Sequence, residues 1–406
     1  MNHEFLKRQD LICALPFAGI TITPSGHVSL CCAYDDKPLG HISEIDSLCE
    51  FYNGNTMSNI RQVMTNQSIC AVQGCLKCHH ARQINAPAHI NLANDNWRHV
   101  TTKHFDNDWF TEKPNYVPIR FLEYTCSNTC NQACSTCGSL FSSKWKQIEQ
   151  AMDTEALTYF NRQVHNDYSL SSDDIDKIIS VLPTLDFMTI KGGEPFADLR
   201  NIKILDSLIE CNNDCEVHII TNMQSITPRV LETLQKVKST DIKLVVSASV
   251  DGIDKHYDWV RGGSFKRTTS NMEKYYQATG QKIQINVFVS MHNFFKLDSI
   301  VDYFQNKHYV DSIILVNTAI YPEYIRTENL PRSLVKEQNS KLEKFFSTVN
   351  GVKLIYNSPI VDHFALIDNH AEMRKAFEWI NQINKIRGYR LQDLIPELQD
   401  LEEMVL

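Results

Sequence analysis

The chain has 406 residues, of which 43% are hydrophobic and 22% charged; this is enough for two or three domains and a sizeable core, with the composition of an ordinary globular protein. No apolar run approaches the roughly 18–20 residues that span a bilayer, and residues 1–17 lack the basic head and long apolar stretch of a secretory leader, so a cytoplasmic location with no membrane partner is expected. A formal net charge of −8 gives the surface no general attraction for nucleic acid, which is disfavoured as a partner.

Thirteen cysteines fall into groups. Cys13, Cys31, Cys32, Cys49, Cys70, Cys75 and Cys78 form one; Cys126, Cys130, Cys134 and Cys137 form another; Cys211 and Cys215 stand apart. In a reducing compartment such clustering reads as metal ligation or catalysis rather than disulfides. Two dense groups point to two metal sites.

Residues 1–95 are rich in Cys, Asn and His. Ile20–Thr23 and His27–Leu30 flank Pro24-Ser25-Gly26 and predict a β-hairpin. Ser47–Met64 is a candidate helix, and the thin apolar content predicts a small α+β domain helped by bound metal. Residues 96–116 read as a connector. From 117 to 325, strands are expected at Ile119–Tyr124, Phe187–Lys191, Val217–Thr221, Lys243–Val250, Ile283–Val289 and Ser312–Val316. Helices are expected near 139–165, 198–211, 227–238, 265–279 and 295–307. Alternating strands and helices argue for parallel βα units, which right-handed crossovers curl into a full or partial barrel. Residues 326–406 predict a helical C-terminal region, with segments at Leu330–Phe346, Ala371–Ile386 and Leu391–Leu401.

Just beyond the first barrel strand lies Cys130-Asn-Gln-Ala-Cys134-Ser-Thr-Cys137. Three thiolates on one loop can hold three corners of a cubane cluster, which normally takes four cysteines. The fourth iron is then open to a substrate, as catalytic metal sites are. The competing arrangement is a closed cluster or structural zinc, with Cys126 as fourth ligand.

This CxxxCxxC segment resembles the signature of the radical S-adenosylmethionine (SAM) superfamily. The resemblance implies a [4Fe–4S] cluster whose open iron chelates SAM. It also implies reductive cleavage to a 5′-deoxyadenosyl radical and abstraction of a hydrogen atom from a substrate. The family usually has an aromatic residue before the third cysteine; here it is Thr136. Gly192-Gly193-Glu194-Pro195 resembles the family's GGEP element, whose backbone carbonyls and glutamate would accept hydrogen bonds from the SAM ammonium group. Thr221-Asn222 and Ser247-Ala-Ser249-Val-Asp251-Gly252 resemble strand-end segments that meet the ribose, and Arg261 takes the place of an arginine that pairs with the SAM carboxylate. Read from residue types alone, these segments are also compatible with turns and with a solvated surface arginine.

Cys13, Gly26-x4-Cys31, Leu39-Gly40-His41-Ile42, Arg61 and Cys75-x2-Cys78 resemble the SPASM and twitch auxiliary-cluster domains, here placed before the barrel rather than after it. The adjacent Cys31-Cys32 pair occurs in the subgroup with an N-terminal twitch domain. On a strand the two would face opposite ways. Cys13, Cys31, Cys75 and Cys78 are four ligands, sufficient for a second [4Fe–4S] cluster; zinc has the same ligand count, and Cys32 and Cys70 are alternates. Cys49, Cys211 and Cys215 read as inert thiols, and His79 and His80 as solvated.

The expected fold is therefore α/β: a partial (β/α)6 radical SAM barrel preceded by a small cysteine-rich auxiliary-cluster domain and followed by a helical region. The resemblance implies an enzyme acting on a peptide, a protein side chain or a small molecule. An electron donor such as flavodoxin or ferredoxin would serve it, and the auxiliary cluster would transfer electrons or anchor substrate. The competing class is a non-catalytic metal-binding scaffold with closed four-cysteine sites.

Overall fold

The computed structural model describes residues 12–83, 90, 91, 93, 94, 116–211, 213–316, 322–356 and 370–405. The expected connector at 96–116 lies outside the described residues except for Tyr116.

Ten strands form one sheet: β1 (Gly19–Ile22), β2 (His27–Ser29), β3 (Gly40–His41), β4 (Phe121–Tyr124), β5 (Phe187–Ile190), β6 (Glu216–Thr221), β7 (Lys243–Ser249), β8 (Ile283–Phe288), β9 (Val310–Val316) and β10 (Lys353–Tyr356), in the order β10-β9-β8-β7-β6-β5-β4-β1-β2-β3. From β4 to β10 every neighbouring pair is parallel and consecutive in the chain. Right-handed crossovers that always step the same way put all the connecting helices on one face. The helix Leu199–Cys211 accordingly packs against Ser172–Val181 and Pro228–Val237, and Leu297–Gln305 against Arg332–Phe346.

The two faces differ in chemistry because side chains alternate along each strand. Leu122, Met188, Val217, Val246, Ile285 and Ile313 are buried, as expected of the face under the helices. The uncovered face carries Glu123 opposite Thr189, Ser247 opposite Gln284, and Ser249 opposite Asn286. This polar face is the inside of the partial barrel.

Three features depart from the sequence expectations. The long helix expected near 139–165 is two short ones, Ser143–Gln150 and Thr154–Tyr159, because Asp153 caps the second by accepting from the Ala156 N–H at 2.7 Å. An additional helix, Ser172–Val181, begins with a capping box between Ser171 and Asp174. The C-terminal region is helical at Arg332–Phe346, His370–Arg387 and Pro396–Val405, but β10 also pairs parallel with β9.

The N-terminal region does not depend on a thin core of its own. The expected hairpin forms as β1 and β2, the candidate helix divides at Gly54 into Leu48–Asn53 and Asn55–Gln67, and β1 pairs in parallel with β4. Ile12, Leu15, Ile20, Val28, Leu48, Tyr52 and Met64 join the same apolar cluster as the barrel residues. Among the described residues, no helix is long and apolar enough to cross a membrane.

The β1–β4 junction relies on Gly19, where an added Cβ would stand 1.7 Å from the Phe121 carbonyl oxygen. Gly19→Ala is therefore expected to destabilise the fold by about 1–3 kcal/mol through overpacking, read as a lower urea midpoint with an unchanged slope.

Candidate functional site

The cysteine loop follows β4 and contains no regular element from Thr129 to Ser142. Cys130 and Cys134 are buried and Cys137 partly so. Their charges act on one another. Burial, with the neighbouring Cys134, pushes the Cys130 thiol up to about 12. A hydrogen bond from the Cys137 thiol, followed by the charges of Arg261 and Arg387, draws Cys134 down to about 7, while that same bond raises Cys137 well above the ordinary thiol value. Cys126 faces elsewhere. It is buried in the core, where burial and Asp198 push its thiol up. The geometry thus gives three sulfurs in one group, with the fourth cysteine of this segment turned into the core.

Gly192-Gly193 sets the height of this loop. Both glycines have positive φ, +81° and +40°, a region open to glycine at little cost. A Cβ on Gly192 would lie 2.1 Å from Thr125 Cγ2, and one on Gly193 2.3 Å from the Thr129 carbonyl oxygen. The Glu194 N–H donates to that same carbonyl at 2.8 Å. The turn is thereby fastened to the residue preceding Cys130.

Glu194 is buried, and its carboxylate accepts from Thr221 Oγ1 at 2.6 Å, the Asn222 N–H at 2.7 Å and the Phe196 N–H at 3.1 Å. Burial raises its pKa and these bonds oppose the rise. Asn222 reaches onward: its Nδ2 donates to Asn131 Oδ1 at 2.7 Å and approaches Cys130 Sγ at 3.8 Å. Glu194, Thr221 and Asn222 are thus one network joining two strand ends to the cysteine loop. Pro195 starts the short turn Pro195–Ala197.

Asp251 is buried; it accepts from Arg261 Nη1 at 2.9 Å and from the Phe288 N–H at 2.8 Å. Arg261 Nε is buried without a partner among the described residues, and the nearby Cys134 and Asp251 charges hold the guanidinium protonated. Ser247 donates to Gln284 Oε1 at 2.5 Å, and Ser249 lies on the uncovered face opposite Asn286.

The loop's carbonyl oxygens are held from several directions. Ser142 Oγ donates to Gln132 O at 2.6 Å, Trp145 Nε1 to Cys134 O at 2.8 Å, Trp379 Nε1 to Ser135 O at 3.0 Å and Arg162 Nη1 to Cys137 O at 2.7 Å. Arg387 Nη2 donates to Ala133 O. Arg162 pairs with Glu149 at 3.0 Å, both side chains at 3% exposure or less, and lies over the Trp145 and Trp379 rings at 4.7 and 3.9 Å. Gly262 and Gly263 bring another backbone against the same loop: their added Cβ atoms would meet Ala133 O at 2.8 Å and Gln132 Nε2 at 2.0 Å.

A second group forms from Cys13, Cys31, Cys75 and Cys78. The charges of Cys75 and Cys78 act on Cys13, and those of Cys13, Cys32 and Cys75 on Cys31; burial is the larger cause that raises all three of Cys13, Cys31 and Cys75, the last to about 12. Gly26, the glycine of Gly-x4-Cys, turns the hairpin at φ +78° and lies against Tyr168 and His41. Cys32, like Cys31, lies beyond the end of β2, so strand alternation does not set its direction; it is near Lys191 and Glu123. Cys70 bonds locally to Ser68 Oγ at 3.0 Å. Lys191 Nζ pairs with Glu123 at 2.7 Å beside Cys32 and Cys31. Among the described residues no three His, Cys, Asp or Glu side chains meet as a single-ion metal site would require; a cubane cluster asks instead for each thiolate on its own iron.

The family model for the radical SAM superfamily matches residues 124–296, and that for the SPASM iron–sulfur cluster-binding domain matches residues 13–79. The chain belongs to the radical SAM superfamily and carries an associated SPASM domain. Similar solved structures include Streptococcus suis SuiB bound to S-adenosylmethionine, at 15% identity over 77% of this chain and 63% of that one, with a TM-score of 0.43. They also include native anSMEcpe with bound AdoMet, at 16% identity over 58% of this chain and 64% of that one, TM-score 0.43, and a radical SAM methyltransferase from Sphaerobacter thermophilus, at 10% identity over 57% and 64%, TM-score 0.37. The chain thus spans less than two thirds of the length of each of these three. No curated protein matches it.

Several residues of this radical SAM site carried no sequence signal. Arg162, Trp379 and Arg387 act through backbone carbonyls, and such bonds impose no spacing on the donors. Met223, buried just after Asn222, sits at φ +56°, an uncommon conformation for a side chain of its size. The Glu123–Lys191 pair was within reach, since Lys191 directly precedes the glycines.

Arg162→Met removes the donor to Cys137 O and leaves Glu149 buried without its cation. A loss of about 3–5 kcal/mol is expected, as for one partner of a buried pair, measured by urea unfolding of the purified chain.

Proposed function

We propose that this chain reductively cleaves SAM at a [4Fe–4S] cluster held by Cys130, Cys134 and Cys137, and acts on a peptide, a protein side chain or a small molecule. The observation that carries this reading is the grouping of three cysteine sulfurs on one pinned loop, with Cys126 facing the core and Arg261 Nε buried beside them without a partner among the described residues. Three thiols leave one position of a cubane free, and the orphaned guanidinium N–H suits an anionic ligand there. When bound, the cluster supplies the electron that cleaves SAM to methionine and a 5′-deoxyadenosyl radical, which removes a hydrogen atom from the substrate.

The chain's own residues divide the remaining work. Arg261 would bind the SAM carboxylate, with Asp251 fixing its orientation. Three donors already meet the Glu194 carboxylate, which has about four acceptor sites, so Glu194 chiefly positions Thr221 and Asn222 and has little left for the ammonium group. The carbonyls around Gly192 and Gly193 would take the larger part there, since that of Pro195 already accepts from Asn201 Nδ2 and the Asp198 N–H. Ser247 and Ser249 suit ribose hydroxyls, and adenine contact does not come from an aromatic side chain at Thr136.

Cys13, Cys31, Cys75 and Cys78 would hold a second [4Fe–4S] cluster, serving electron transfer or substrate anchoring, with an electron donor of the flavodoxin or ferredoxin kind supplying the reducing equivalent. The polar uncovered face and the Glu123–Lys191 pair beside Cys32 suit a substrate rich in hydrogen-bonding groups. Zinc in the auxiliary site is the alternative that metal analysis separates.

Anaerobic reconstitution, reduction and addition of SAM should yield 5′-deoxyadenosine, absent from a Cys134→Ala control, with about eight iron atoms per chain. No product above the control would refute the catalytic reading and favour a metal-binding scaffold. About four iron and one zinc would reassign the auxiliary site.

A further inference from the structure

Three arginines surround the cysteine loop, and they differ in how their charge is balanced. Arg162 has Glu149 at 3.0 Å and Arg261 has Asp251 at 2.9 Å. Arg387, near the end of the helix His370–Arg387, has no carboxylate partner among the described residues. Its Nε donates to Trp259 O at 2.9 Å and its Nη2 to Ala133 O, the residue before Cys134. The guanidinium packs so closely on the turn after Arg261 that a Cβ on Gly262 would lie 2.5 Å from Nη2. It is therefore fixed in place, partly shielded from water, and aimed at the loop.

A partly buried cation held this way needs a counter-charge. Burial lowers the Arg387 pKa, and of the negative charges that oppose this the largest is that of Cys134. We propose that Arg387 is the counter-ion of the cluster bound by Cys130, Cys134 and Cys137, and that its charge raises that cluster's reduction potential. This rests on the reading that the triad holds a cluster. The reduced cluster carries one more negative charge than the oxidised one, so a fixed neighbouring cation stabilises the reduced form more, and net charge is one of the levers that set such potentials. Helix His370–Arg387 lies outside the span matched by either family model, yet it delivers this charge together with the Trp379 donor.

The test is an EPR-monitored redox titration of the reconstituted full-length chain, following the signal that responds to SAM, in wild type, Arg387→Met and Arg387→Lys. The methionine variant should titrate at a more negative potential, while the lysine variant, which keeps the charge but not the fork, should stay close to wild type. Loss of iron in the methionine variant alone would also support the charge. A methionine variant with wild-type iron and wild-type potential overturns the proposal, as does equal loss of iron in both variants, which would make Arg387 a loop brace only. Failure of the wild type itself to take up iron would instead sink the underlying cluster reading.

Discussion

A buried loop without regular structure must find partners for its carbonyl oxygens, and the rest of this molecule is arranged around that requirement. Gln132, Ala133, Cys134, Ser135 and Cys137 each present a carbonyl that no helix or sheet satisfies. The donors are Ser142, Arg387, Trp145, Trp379 and Arg162. Two of them come from the helix His370–Arg387, more than 240 residues along the chain. Where the three sulfurs sit is thus decided by packing between the first crossover, the turn at Gly262 and the C-terminal helix. Indole and guanidinium groups suit the task, since each offers donors on a rigid plane. Their mutual stacking over Arg162 fixes the donors before any ligand arrives.

The same logic extends outward. Glu194 ties two strand ends to Asn222, and Asn222 reaches Asn131 and Cys130. Glycines at 192, 193, 262 and 263 let backbones approach the loop where a side chain would push it away. On the other side, β1 extends the barrel sheet past β4, so the segments that carry the two cysteine groups are joined through one sheet. The Glu123–Lys191 pair lies beside Cys32.

Much of this was legible in the sequence. The six barrel strands are short apolar runs bounded by turn residues, and all six form where periodicity places them. The cysteine triad follows β4 and the Gly-Gly turn follows β5, as the sequence predicts. Helix Ser172–Val181 was missed although its Ser171–Asp174 capping box is a sequence signal. Strand β10 escaped notice because a run of four residues, Lys353–Tyr356, is too short to carry a clear periodicity. The direction of Cys126 could not be read, because a spacing of four residues in a loop leaves side-chain orientation open. Arg162, Trp379 and Arg387 were invisible for a different reason: a side chain that donates to a distant carbonyl needs only to arrive, and its own neighbours do not record the destination.

The central claim is that Cys130, Cys134 and Cys137 hold a cluster with one iron open to SAM. The most direct measurement is the EPR spectrum of the reduced, reconstituted chain with and without SAM, compared with Cys134→Ala. The account predicts a cluster signal whose g values change when SAM is added and which is lost in the variant, leaving only a signal indifferent to SAM. A spectrum unchanged by SAM, or a SAM response that survives in the variant, would contradict it.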